Sequence, residues 1–208
     1  MEEFDHVHHL QKAYRKLVDC ISYPGTINSL KGISDILNLS IPCNNSAMVL
    51  ALMLLDTEVS FHITGSSFEK VSKYISQLTY SRIVSVEKAD YIFVLQELDK
   101  FQLDETIKQC KTGDLINPHA SATLIVETRG ITSENMYVFR GPGISEERFA
   151  AIYLDEDNTS WIESRKQKNC EYPLGIDIFF MDQEHNLLAL PRTTMVDHAQ
   201  GHFKKTLF

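Results

Sequence analysis

The chain has 208 residues and a net charge of −8, with 43% hydrophobic and 23% charged residues, a balance close to that of soluble globular proteins and far from that of disordered ones. This length suits one domain, whose folding removes about 70% of the extended chain's surface from water, so the core needs no covalent staples. The acidic balance argues against a broad surface for nucleic acid or anionic lipid and leaves room only for a local arginine cluster that holds a small anion.

Near the amino terminus, Leu10, Tyr14, Leu17, Val18 and Ile21 recur at helical spacing while Lys12, Arg15, Lys16 and Asp19 take the other face, which predicts an amphipathic helix over 6–22. Tyr23-Pro24-Gly25 ends it. Asn44, Asn45 and Ser46 offer capping oxygens ahead of AMVLALMLL, a run apolar on every side and therefore a core helix. Ser66 and Glu69 have capping-box spacing before a third helix with the stripe Phe68, Val71, Ile75 and Leu78.

The runs VSFHIT, SRIVSV, YIFVLQ, SATLIVET, MYVFR, FAAIYL, GIDIFF and NLLAL have strand length and β-branched or aromatic enrichment, so about eight strands are expected. Asp104 is a candidate cap for a short helix closed by Gly113, and Asn158 or Thr159 for another through Trp161 and Ile162. Helices alternate with strands in the first half and strands follow one another in the second. The expected fold class is therefore α/β, a mixed β-sheet with helices on both faces.

Cys20, Cys43, Cys110 and Cys170 are far apart and read as free thiols in a reducing compartment. The acidic start MEEFDHVHHLQKAYRK lacks an apolar leader, and the run Ala47 to Leu55 is too short to cross a bilayer, so a cytoplasmic protein without a membrane partner is expected. The common strings for nucleotide-binding glycine loops, zinc proteases and serine hydrolases are absent. Ser67 and Lys70 spell S-x-x-K, which the neighbouring capping box already explains. His6, His8 and His9, and His198 with His202, have no partner at ligand spacing, and no metal is expected.

The stretch Arg140-Gly141-Pro142-Gly143-Ile144-Ser145-Glu146-Glu147-Arg148 follows the MYVF strand. Its glycines allow close backbone approach, its amides can form an anion nest, and Arg140 and Arg148 offer forked donors for phosphate or phosphonate. The competing account is a strand-to-strand turn whose arginines pair with Glu146, Glu147 or other acids. Arg192 and Thr193, where the NLLAL strand ends, form a second candidate, and Asp177 is placed to pair with one of these arginines across the sheet.

Tyr14-Arg15-Lys16-Leu17 followed by Tyr23-Pro24-Gly25-Thr26, then SATLIVE, RGPGISEER, and PLGIDIFF leading into LALPRTT, run in the order found in the PhnH family. The chain resembles that family, the H subunit of the bacterial carbon–phosphorus lyase system, from residue 6 to about 196. The resemblance implies a fold related to the pyridoxal-phosphate-dependent transferases, a homodimer, and assembly with G, I and J subunits; no lysine stands between Lys111 and Lys166, the interval that holds SATLIVE and RGPGISEER, so the fold is expected without that cofactor. It also implies support for making alpha-D-ribose 1-phosphonate 5-triphosphate from a phosphonate and a nucleoside triphosphate.

Carried over position by position, the resemblance nominates Arg15, Gly25, Arg140, Gly141, Gly143, Arg148, Asp177, Arg192 and Thr193 as ligand- or partner-binding candidates. No catalytic residue and no cofactor is expected. Residues 1–196 read as one domain and 197–208, DHAQGHFKKTLF, as a C-terminal extension. The alternative from another class is a stand-alone small-molecule transferase with an anion site at the RGPG turn; it would need an acid, base or nucleophile in a cleft.

Overall fold

The computed structural model describes residues 4–37, 43–65, 68–95, 102–154 and 159–199. In chain order the described elements are α1 (His8–Ser22), β1 (Ile27–Ser29), α2 (Lys31–Ser34), α3 (Asn45–Leu54), β2 (Ser60–Thr64), α4 (Phe68–Thr79), β3 (Arg82–Ile83) and β4 (Tyr91–Val94). They continue with α5 (Gln102–Gln109), β5 (Thr123–Glu127), β6 (Gly130–Arg140), β7 (Arg148–Tyr153), α6 (Ser160–Lys168), β8 (Asp177–Met181), β9 (Asn186–Leu190) and β10 (Met195–His198).

Seven strands form one mixed sheet in the order β1-β9-β8-β5-β4-β2-β3, and β10-β6-β7 form a second, antiparallel sheet. β3, β2, β4, β5 and β8 run parallel, while β9 and β1 are each antiparallel to their neighbours. The class is α/β, as expected. Ten described strands replace the expected eight, because β1 and β10 are too short and polar to stand out in sequence and exist through pairing with β9 and β6. The domain boundary expected at 196 falls inside β10.

Strand alternation divides the interior into two cores. Phe61, Ile63, Phe93, Ile125, Phe179, Met181, Leu187 and Ala189 face α1, α3 and α4. Their neighbours Ile92, Val94, Leu124, Val126, Ile178, Phe180, Leu188 and Leu190 face Ile107 of α5, Trp161 of α6 and the inner side of the small sheet. β4, β5, β8 and β9 therefore read as unbroken apolar runs, as strands covered on both faces must.

Several local expectations shift. α1 buries His9, Ala13, Leu17 and Cys20, so its core seam is rotated from the expected stripe and Tyr14, Val18 and Ile21 face outward. Asp104 lies inside α5 rather than capping it, and accepts bonds from Ser164 Oγ of α6 (2.5 Å) and Lys108 Nζ (2.6 Å), tying two helices together. Thr159 holds the N-cap position of α6 without a side-chain capping bond. α4 buries Val71 and Ile75 but leaves Leu78 exposed. Ser66, Ser67, Asn158 and His202 lie outside the described residues.

Candidate functional site

Three turns named by the sequence meet at the end of α1. The chain leaves α1 through Tyr23-Pro24-Gly25-Thr26, and Gly25 takes φ +82° with the Phe139 ring and Arg148 Cβ packed where its side chain would be. In the turn after β6, a Cβ on Gly143 (φ +82°) would overlap the Ser22 carbonyl oxygen. One on Gly141 (φ +140°) would stand 2.8 Å from the Thr193 carbonyl oxygen. At Gly141 and Gly143 the obstacle is another segment's backbone, at Gly25 it is packed side chains, and all three take a positive φ that favours glycine.

Arg148, at the start of β7, reaches back to the same junction and donates to the Tyr23 carbonyl (3.3 Å) and to Thr26 Oγ1. Arg165 supports the Thr193 side from beneath: it is 4% exposed and donates to the carbonyls of Pro191 (2.7 Å), Thr194 (2.9 Å) and Leu190 (3.4 Å). Burial pushes its guanidinium down to about 10, still a cation at neutral pH.

Arg140 stands at the exposed rim. Its Nε and Nη2 donate to Glu147 Oε1 at 2.7 and 2.5 Å, and its Nη1 to Asp197 Oδ2 at 3.3 Å. A phosphonate arriving here competes with two carboxylates.

Arg192 and Asp177 form a separate clamp at the amino-terminal edge of the parallel strands. The Arg192 amide (2.7 Å) and Nε (3.5 Å) donate to Asp177 Oδ1, and its Nη2 to Asp177 Oδ2 (2.7 Å) and Ser121 Oγ (2.6 Å). Nη1 reaches the carbonyls of Pro118 (2.9 Å) and Pro173 (3.2 Å). The expected partnership of Asp177 with an arginine is present, and it joins the loops that lead into β5 and β8. Thr193 is exposed, and Arg15 lies apart on α1, exposed and without a partner among the described residues.

The opposite edge holds polar residues that the sequence did not single out. Ligands of α/β sheets commonly bind beyond the carboxyl ends of parallel strands, and here Glu127 of β5 accepts a bond from the Asn44 amide (2.9 Å) at the start of α3. The Asn44 side chain accepts from Ser46 N (2.8 Å) and donates to the Asp182 carbonyl (2.7 Å). Asp182, 2% exposed, accepts from the amides of Ile131 (2.8 Å), Asn186 (2.9 Å) and Glu184 (3.0 Å).

Ser46 Oγ stands 2.9 Å from both Ser34 Oγ and His185 Nδ1, and His185 Nε2 lies 3.6 Å from Asp35. This row superficially resembles a hydrolase relay, yet Ser46 and Ser34 are wholly buried, and a nucleophile must reach its substrate. Nearby Cys43 is pushed up to about 12 by burial and then by the charge of Glu127, so it stays a thiol. The polar row is an internal bracket between α3, β5 and the β8–β9 hairpin. Asn44 was legible as a cap, but Glu127 is 83 positions away, and no local pattern announces that pairing.

Among the described residues no three His, Cys, Asp or Glu side chains are grouped to hold a metal ion, and no helix is long and apolar enough to cross a membrane. A family model described as bacterial phosphonate metabolism protein (PhnH) matches residues 3–197. The chain belongs to the PhnH family. A curated relative from Rhizobium meliloti (strain 1021), alpha-D-ribose 1-methylphosphonate 5-triphosphate synthase subunit PhnH, is 26% identical over 201 residues, covering 93% of this chain and 92% of that protein. The PhnH match spans the junction, the clamp and the polar bracket alike.

Proposed function

We propose that the protein is a subunit of a synthase complex in organophosphonate breakdown and supplies no catalytic residue or cofactor of its own. The complex forms alpha-D-ribose 1-phosphonate 5-triphosphate from a phosphonate and a nucleoside triphosphate, and this chain works in it as a cytoplasmic homodimer beside G, I and J subunits. The naming of the curated relative as a subunit of such a synthase supports this reading.

The observation that carries it is the use of the motif residues. Gly25, Gly141, Gly143 and Arg148 fasten one turn to another, and Arg140 and Arg192 are engaged with carboxylates and carbonyls. Residues used this way preserve a surface; they do not present an acid, base or nucleophile in a cleft. The same reading takes 1–196 as one domain and its fold as kin to the pyridoxal-phosphate-dependent transferases, with which a mixed sheet covered on both faces is compatible.

The test is a deletion strain supplied with methylphosphonate as its only phosphorus source. Growth should stop without this chain and return with it, and the tagged chain should co-purify with the other synthase subunits. Growth without it, or turnover of a phosphonate and a nucleoside triphosphate by the isolated chain, would overturn the proposal, the second outcome in favour of a stand-alone transferase. The absence of a cofactor is checked by spectroscopy: a Schiff-base absorbance band lost on borohydride treatment would contradict it.

A further inference from the structure

Among the described residues four buried side-chain polar atoms have no hydrogen-bond partner, and three of them, Trp161 Nε1, Arg165 Nε and Thr194 Oγ1, belong to the contact of α6 with the segment that leads from β9 into β10. Arg165 donates through Nη1 to the Thr194 carbonyl (2.9 Å) and through Nη2 to the Pro191 carbonyl (2.7 Å), which also takes the Thr194 amide (2.9 Å). Trp161, one turn earlier on the same helix face, packs edge-on against Tyr137 and Phe180 at ring separations of 5.8 and 5.3 Å. Trp161 and Thr194 are 1 and 2% exposed, so bulk water does not reach these atoms.

Their chemistry is one-sided. An indole N–H and a guanidinium Nε–H donate and cannot accept, and the threonine hydroxyl is free to turn its hydrogen the same way. Charge is one-sided too: the carboxylate whose charge acts on Arg165 is Asp177, and Asp177 already holds Arg192 at 2.7 Å. Two guanidiniums thus share one carboxylate, and a buried cation held by carbonyl dipoles alone is costly to keep from water. Donors without an acceptor, beside a cation without its own counter-charge, suit an occupant that only accepts hydrogen bonds and carries a single negative charge. Water would bring two hydrogens of its own to a contact whose carbonyls at 190, 191 and 194 already face Arg165. A phosphate or phosphonate would bury several charged oxygens against too few donors.

We propose that a halide ion, chloride in ordinary buffers, binds between α6 and the 191–194 turn, held by Arg165 Nε and Thr194 Oγ1 beside the Trp161 indole. The ion neutralises Arg165 and braces the turn whose Thr193 carbonyl packs against Gly141. The site is independent of the subunit reading, because it concerns how the junction is held and not what the junction meets.

The test uses the full chain with bromide and iodide as probes. Crystals grown in sodium bromide and measured at the bromine absorption edge should show an anomalous peak bridging Arg165 Nε and Thr194 Oγ1. In solution Trp161 is the chain's one tryptophan, so its emission, excited beyond the tyrosine band, reports this contact. Iodide added at constant ionic strength should quench that emission along a saturating curve, and chloride should reverse the quenching by competition. Thr194→Val keeps the shape without the hydroxyl and should weaken iodide binding at least tenfold with a parent-like circular dichroism spectrum, whereas Thr194→Ser should bind as the parent does; Thr194→Ala replaces the valine variant if that one misfolds. Anomalous peaks on the surface alone, an adventitious ion only, overturn the proposal. A peak at the contact without anomalous signal makes the occupant water and overturns it as well, as does quenching that rises linearly with iodide and equally in the parent and Thr194→Val.

Discussion

Arg192 and Arg140 both stand at the ends of apolar strands, and the sequence gives little reason to treat them differently. In the fold Arg192 is 19% exposed at its side chain and its donors reach Asp177, Ser121 and two carbonyls. Arg140 is 43% exposed and holds two surface carboxylates. The first arginine replaces its water shell with protein; the second keeps part of it. A guanidinium in the former setting is a structural bolt, whereas one in the latter can exchange partners at small cost.

This contrast breaks down if Arg192→Ala is mild. The substitution leaves Asp177 partly buried without its cation and two carbonyls without donors, which should cost about 3 kcal/mol. In a chain of this size that loss lowers the melting temperature by roughly 10 °C, measured by calorimetry. A drop below roughly 3 °C would mean that water replaces the clamp.

Gly143→Ala tests whether the junction is as unyielding as the clamp. The added methyl group meets the Ser22 carbonyl and holds alanine at a positive φ, so about 2 kcal/mol of destabilisation is expected, with roughly 5 °C lost in melting temperature. Gly32, whose Cβ would meet nothing within 4 Å, serves as the control, and Gly32→Ala should not lower the melting temperature. Equal losses at the two glycines would contradict the close backbone packing.

Acid sharpens the same distinction between bolted and solvated groups. Burial alone would raise the carboxyls of Asp90 and Asp104, but bonds from Lys111 and Ser60 to the first, and from Lys108 and Ser164 to the second, hold both below the ordinary range. Exposed Asp5, bonded to the backbone and ring of His8, is held to about 2. Each binds protons more weakly when folded than when unfolded, so their contribution is complete above the unfolded value near 4 and disappears as pH falls through the folded values. The melting temperature should therefore fall by a few degrees between about pH 5 and pH 2, and Asp90→Asn should make the fall shallower. A flat profile would remove these pairs from the account.

The smallest effect is expected at the rim. Arg140→Ala should cost less than about 1 kcal/mol, because exposed ion pairs contribute little and salt screens them further. A melting temperature within roughly 2 °C of the parent supports the contrast; a loss as large as that of Arg192→Ala ends it.

Much of this architecture was legible along the chain. The core strands β2, β4, β5, β8 and β9 announced themselves by apolar runs, and α3 by its cap and its uniform apolarity, because local pattern and burial on two faces coincide there. Reading was weaker where a segment's state depends on a distant neighbour. β1 is three residues long and is held by pairing with β9, while the interior role of Asp104 depends on Ser164 sixty positions away. The apolar residues of α1 were visible, but helical periodicity alone cannot say which of two adjacent seams turns inward.

The sequence by itself determined the α/β class, the alternation that splits the core in two, and the positions of the glycines and arginines that family resemblance singled out. Those properties arise from residue chemistry and period, which act over a few positions. Only the tertiary structure decided what the singled-out residues touch: Gly143 against Ser22, Arg148 against Thr26, Arg192 in a clamp and Arg140 on a rim. Each is set by chain segments brought together from far apart, and a guanidinium's role follows from how many acceptors surround it and how much water remains, quantities that exist only after folding.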